Sequence, residues 1–183
     1  MYIGDQVVYL QMQKCASNYI SNYLIEKLGG QRLGKHNFLR SYDLGNKKVV
    51  GSIRNPWDWY VSLWAYGCSR RGGLYNRLTT KFSHITRPIM NLNLKFLTNE
   101  LTKPVKKWGS LYTDYQDAEA FRIWLYQIHD PSRAYDLGES YGNYELKNFA
   151  GFMTHRYCRL YLKEYYKPCF HNLISCMDDL IKY

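Results

Sequence analysis

Apolar positions gather into two short runs in the first third of the chain, and each run stops at a polar turn that leads into a helical pattern. Gln6–Met12 is apolar, with β-branched Val7 and Val8, which predicts a buried strand. Lys14, Cys15 and Ala16 follow, and Ser17 is then placed to N-cap a helix running to about Leu28. Ile20, Tyr23, Leu24 and Leu28 form its apolar stripe, and Gly29-Gly30 stop it. Lys48–Ile53 predicts a second strand. Pro56 then opens a helix through about Tyr66, a position where its missing N–H would have no partner anyway. Strand, turn and helix in this order begin a βαβ unit.

Periodicity weakens over residues 68–110, where Gly and Pro punctuate a basic stretch, and the expectation there is a long, partly mobile insertion or lid. Asp117–His129 predicts a helix ended by Asp130-Pro131. Asn143–Tyr165 predicts a longer one with Leu146, Phe149, Met153, Tyr157 and Leu160 as its stripe, and Asn172–Ile181 a short last one. Nothing after residue 113 reads as a strong strand. The expected fold class is therefore α/β: a small parallel sheet flanked by helices in the first half, and a helix-rich C-terminal half. One domain over 1–183 is expected, with a core at 6–66, the basic insertion at 68–110 and a helical part at 114–183.

Composition narrows the classes. A chain of 183 residues with 46% hydrophobic content can bury a sizeable core. No apolar stretch approaches the roughly 18–20 residues of a membrane span. The opening MYIGDQVVYLQMQ lacks the basic and small-residue flanks of a signal peptide and reads as a first core strand. The five cysteines (15, 68, 158, 169 and 176) show no zinc spacing, so reduced thiols, a cytoplasmic location and no metal are expected.

The net charge is +10 and unevenly placed. Residues 1–113 hold 17 basic against 5 acidic side chains, and residues 114–183 hold 8 against 10. A lopsided field of this kind steers anionic ligands. Nucleic acid is the weaker candidate partner, because no recognised binding motif accompanies the charge.

Both polar turns carry anion chemistry. Lys14 leaves the carboxyl end of a strand, where open α/β sheets bind ligands. Cys15, Ala16, Ser17, Asn18 and Tyr19 then offer consecutive backbone N–H groups at a helix N-terminus, where the dipole favours negative charge. Ser17 and Asn18 add side-chain donors. Arg54 closes the second strand, and Ser62, nearly two turns into the next helix, can bracket one further anion with its guanidinium fork. Two such grips suit a ligand with two separated anionic groups, such as a nucleotide. GxxxxGK[ST] is absent, which argues against a Walker-type kinase.

Taken together, KCASNY (14–19) and RNPWDWYVS (54–62) resemble the two cofactor motifs of the sulfotransferases that use 3′-phosphoadenylyl sulfate (PAPS), a P-loop-like architecture. In that family a Lys-x-Gly-Thr/Ser-x loop grips the 5′-phosphosulfate. An Arg and a Ser eight residues apart grip the 3′-phosphate. GKHNF (34–38) puts His36 where many members place a histidine base. The resemblance covers residues 6–66 and implies a PAPS-dependent transfer of a sulfuryl group to a hydroxyl or amine, with a glycan among the candidate acceptors. It implies Lys14 and His36 as catalytic residues. Cofactor contacts would come from Lys14, Cys15, Ala16, Ser17, Asn18, Tyr19, Arg54 and Ser62, without a metal. A histidine of ordinary pKa, about 6.5, suits a general base at neutral pH. His84, His129, His155 and His171 lie outside the pattern.

The chain departs from that pattern in places. Ala16 stands where glycine is usual, and a positive φ there would cost alanine about 1 kcal/mol or more. The closing Arg-Lys-Gly loop is absent, and Arg70-Arg71-Gly72-Gly73 comes too early to replace it. Two other readings stay open: a weak or inactive homologue that still binds the cofactor, and a basic nucleic-acid-binding module using aromatics such as those of KKWGSLY (106–112). Among the aromatics, Trp57 or Trp59 is expected nearest the cofactor, and most of the rest are expected in the core.

Overall fold

A computed structural model of the chain describes residues 1–34, 36–39, 42–83, 94–162 and 165. The architecture over them is α/β. Four strands, β1 (Tyr2–Ile3), β2 (Val7–Leu10), β3 (Gln31–Arg32) and β4 (Lys48–Gly51), form one sheet in the order β3-β1-β2-β4. The helices are α1 (Ser17–Leu28), α2 (Pro56–Cys68), α3 (Gly73–Thr79), α4 (Leu94–Thr102), α5 (Val105–Ser110), α6 (Ala118–His129) and α7 (Phe152–Tyr161).

The expected β2–β4 pair is parallel, with Val7 opposite Lys48 and Leu10 opposite Gly51. The sheet as a whole is mixed rather than parallel. A tight turn, in which Gly4 N–H donates to the Val7 carbonyl (2.9 Å), folds β1 back antiparallel on β2. β3 then pairs antiparallel with β1. Both extra strands are two residues long, too short for an alternating pattern to register. Gly30 is required at the entry to β3: its φ is +82°, and a Cβ there would sit 2.5 Å from the Ile3 carbonyl oxygen.

The chain separates into two compact units: Met1–Trp59 with the described residues from Met153, and Tyr60–Phe152. In the first, Tyr2, Val8, Tyr9, Leu10, Met12 and Trp59 are buried. α1 departs from its predicted stripe. Ser21 is its buried residue, Ile20 and Leu24 are half-buried, and Tyr23 and Leu28 are exposed. The reason is a polar seam. The buried Gln11 amide donates to Ser21 Oγ (2.5 Å) and to the Ser17 carbonyl (3.3 Å), so the helix meets the strand end through hydrogen bonds. From α7, Tyr161 Oη donates to the Leu10 carbonyl (3.1 Å), and the Arg159 guanidinium lies 4.6 Å from the Phe38 ring centre.

The second unit packs around Trp64, Trp108, Tyr112 and Trp124, all buried. Their polar edges are satisfied: Trp64 Nε1 donates to the Leu111 carbonyl (2.9 Å), Trp124 Nε1 to Tyr112 Oη (2.9 Å) and Trp108 Nε1 to Asp136 Oδ2 (3.0 Å). Asp117 caps α6 by accepting from Ala120 N–H (2.9 Å), and the predicted helix over 117–129 stands.

Two expectations about this unit change. The described part of 68–110 forms three helices, α3, α4 and α5, separated by turns and non-helical links. Its charges are not all at the surface, because Arg77 and Lys103 are buried on the two oxygens of a fully buried Glu100 (2.5 and 2.8 Å). The lone acid of that stretch is the counter-ion that lets two of its bases enter the core. The single helix expected over 143–165 is instead two 3₁₀ turns, Tyr141–Asn143 and Glu145–Asn148, followed by α7. Gly151 interrupts the run, and Tyr141 Oη holds the Ala150 carbonyl (2.7 Å) out of a helical ladder. The helix expected over 172–181, His84, His171, Cys169 and Cys176 lie outside the described residues. Cys15, Cys68 and Cys158 are not in disulfides among the described residues.

Candidate anion-binding site

β2 runs into the turn at residues 13–16, whose backbone takes an unusual course. Lys14 (φ +61°) and Ala16 (φ +54°, ψ +20°) are both left-handed, and Cys15 between them is not. Alternation of this kind folds successive N–H groups toward one side, the geometry of an anion nest. Ala16 is also the N-cap of α1, in place of the predicted Ser17, and its side chain cannot cap. The first ladder bond is Ile20 N–H to the Ala16 carbonyl (3.1 Å). The N–H groups of Ser17, Asn18 and Tyr19 therefore have no acceptor within the helix.

Side chains from the rest of the unit hold this turn by its carbonyls, at every second residue. His36 Nδ1 donates to the Gln11 carbonyl (2.8 Å), Trp59 Nε1 to that of Gln13 (2.7 Å), Ser52 Oγ to that of Cys15 (2.7 Å) and Gln11 Nε2 to that of Ser17 (3.3 Å). Ser52 is bonded in turn to Tyr9 Oη (2.6 Å). The carbonyls thus face the core and leave the intervening amides turned away from it.

The cationic residues converge on the same turn. Burial, and then the nearby charge of Arg54, hold the Lys14 ammonium below its ordinary pKa. Burial pushes the Cys15 thiol up, while the Arg54 backbone N–H and guanidinium act on it in the opposite sense. Lys14, Cys15 and Arg54 therefore share one neighbourhood. Arg54 is exposed, in the short link between β4 and α2 rather than at the end of the strand itself. Ser17 is half-buried, while Ala16, Asn18 and Tyr19 are exposed.

His36 joins this group through Gln11. A carbonyl can only accept, so Nδ1 carries the proton of the neutral ring and Nε2 is its basic nitrogen. Ser62 lies in the second turn of α2, half-buried, and is counted with the second unit. His129 donates through Nδ1 to the Leu125 carbonyl (2.8 Å) at the end of α6, and His155 is fully buried against Tyr165. Trp57 is exposed on the first turn of α2, while Trp59 lies beneath the Gln13–Ala16 turn.

Gln11, Ser52 and Tyr9 are working parts that motif reading missed. Gln11 was the most detectable: a polar residue inside an apolar strand run is buried and needs partners. Among the described residues no cluster of three or more His, Cys, Asp or Glu side chains could hold a metal, and no helix is long and apolar enough to cross a membrane. No family model, no curated protein and no solved structure matches the chain.

Proposed function

We propose that the chain is a sulfotransferase that takes a sulfuryl group from PAPS and passes it to a hydroxyl or amine, a glycan being one acceptor of suitable chemistry. The observation that carries this reading is the Gln13–Tyr19 turn. It has left-handed Lys14 and Ala16, amides turned away from the core at a helix N-terminus, and the charge of Arg54 close enough to act on Lys14. Two cations held together gain most from a ligand that brings more than one negative charge.

The donor would supply an activated sulfuryl group on a good leaving phosphate. The amides of residues 15–19 would hold that 5′-phosphate, with Lys14 neutralising charge on the bridging oxygen as the S–O bond breaks. Arg54 would hold the 3′-phosphate, a role the sequence pattern gives to Ser62 as well. Nε2 of His36 would take the acceptor's proton as its oxygen or nitrogen bonds to sulfur. The Gln11 carbonyl would steady the resulting imidazolium through Nδ1–H. Catalysis of this kind is mainly positioning and charge stabilisation.

The test is thermal unfolding with 3′-phosphoadenosine 5′-phosphate (PAP), the spent cofactor, on wild type and Arg54→Ala. At a hundred times the dissociation constant, binding adds about 2.7 kcal/mol, or roughly 5–10 °C for a chain of this size. A shift in wild type that disappears in the variant supports the reading. Absence of a shift in wild type overturns it. A shift given equally by random oligonucleotides, and lost steeply with salt, favours a nucleic-acid-binding module instead.

A further inference from the structure

We propose that Ser52 is a positioning residue for the anion-binding turn, fixing the amide of Ala16 and the backbone leading to Arg54 with one hydroxyl. The inference rests on the reading of this turn as the cofactor grip, and assigns to it a residue that no motif marks.

A trans peptide sets the carbonyl of one residue antiparallel to the N–H of the next, and there are no cis bonds among the described residues. Ser52 Oγ donates to the Cys15 carbonyl at 2.7 Å, so the Ala16 N–H is turned away from Ser52, to the side of the turn opposite the core. Trp59 on Gln13 and Gln11 on Ser17 do the same for the Lys14 and Asn18 amides. Three alternate amides are thus aimed by three side chains.

Ser52 differs from the other two in its place on the chain. It follows Gly51, which is fixed opposite Leu10 in the parallel register, and it precedes Arg54 by two residues. Its hydroxyl therefore ties the exit of β4 to the turn after β2, and so sets the separation between the two anion grips. The proton count also assigns directions. Ser52 has one proton and places it on Cys15, so the 2.6 Å contact with Tyr9 must be Tyr9 Oη–H donating to Ser52 Oγ. Tyr9 is buried, and that burial raises its pKa, keeping it the neutral donor this relay needs.

The experiment is calorimetric titration of PAP into wild type, Ser52→Ala, Ser52→Thr and Tyr9→Phe, with urea unfolding of each. Ser52→Ala is expected to weaken PAP about three- to tenfold, the worth of one positioned hydrogen bond, and Tyr9→Phe less. Ser52→Thr keeps the hydroxyl and is expected to recover most of the affinity. If Ser52→Ala lowers the urea midpoint yet binds PAP as wild type does, Ser52 is merely structural and the inference fails alone. If Ser52→Thr binds as poorly as Ser52→Ala, the hydroxyl is not the cause and the inference fails too. Wild type that does not bind PAP removes the cofactor reading and the inference with it.

Discussion

Ala16 offers a direct test of the turn, because one substitution there should act opposite to its usual effect. At φ +54° and ψ +20°, alanine pays about 1–2 kcal/mol for a left-handed conformation that glycine adopts freely. Glycine in turn loses about 0.5–1 kcal/mol more backbone entropy on folding. Ala16 is exposed, so the methyl leaves no cavity behind. Ala16→Gly should therefore stabilise by about 0.5–1 kcal/mol, raising Tm by about 1–4 °C for a chain of this length. The control is Ala65→Gly, inside α2, where helical backbone makes the same change cost about 1 kcal/mol. Urea and thermal unfolding of both variants give the comparison. If Ala16→Gly is destabilising to the same degree as Ala65→Gly, residue 16 is not left-handed and the nest geometry is wrong.

Three further outcomes follow from the same structure. The unfolded chain holds the Lys14 proton more tightly than the fold does, so between the lowered folded value and the ordinary lysine value this group makes the protein more stable as pH rises. Lys14→Gln should accordingly raise the ligand-free urea midpoint at pH 7, lose that advantage at alkaline pH and abolish the PAP shift; an unchanged PAP shift would remove Lys14 from the site. Glu100→Gln should cost about 3–5 kcal/mol in urea unfolding, because it strands Arg77 and Lys103 in the core. Burial pushes the Glu100 carboxyl up, but Lys103, the Phe82 N–H and Arg77 outweigh that and hold it below its ordinary pKa, so its contribution is present above the ordinary glutamate value and fades as pH falls through the lowered one. Gly51→Ala should destabilise by about 1–3 kcal/mol, since its Cβ would lie 2.0 Å from Tyr161 Oη, and a neutral result would mean that α7 does not approach β4 this closely.

Strong local signals were the legible ones. The β2 and β4 runs, the Gly29 stop of α1, the Pro56 start of α2 and the helix over 117–129 each depend on a few adjacent residues, and each stands in the structure. What sequence could not show depends on distant partners. β1 and β3 exist because a turn at Gly4 brings β1 back onto β2, and two residues carry no period. The basic look of residues 68–110 concealed an ion-paired core, because charge counting cannot tell a solvated lysine from one buried on Glu100. The turn itself was visible as Lys14 before a helix. Its left-handed course and its four carbonyl anchors were not, because Ser52, Trp59 and His36 bond to carbonyls 25 or more residues away in the chain.

Those anchors explain how a turn without glycine keeps its shape. Left-handed Lys14 and Ala16 cost about 1–2 kcal/mol each, so about 2–4 kcal/mol is needed to hold the backbone where it is. Four side-chain hydrogen bonds to carbonyls 11, 13, 15 and 17, at about 0.5–1.5 kcal/mol each, supply about 2–6 kcal/mol. The conformation is therefore balanced within the protein and does not wait for a ligand to impose it. What stays unbalanced is electrostatic: burial, and then the nearby charge of Arg54, disfavour the charged form of Lys14. An anion entering the turn would act on this term alone, finding the amides already aimed and relieving the repulsion between the two cations. Affinity should then follow ligand charge more closely than ligand size. PAP should bind more tightly than AMP, and AMP more tightly than adenosine, with the steps flattening in Lys14→Gln. Calorimetry that ranks adenosine level with PAP would show that the turn recognises the base and not the charge.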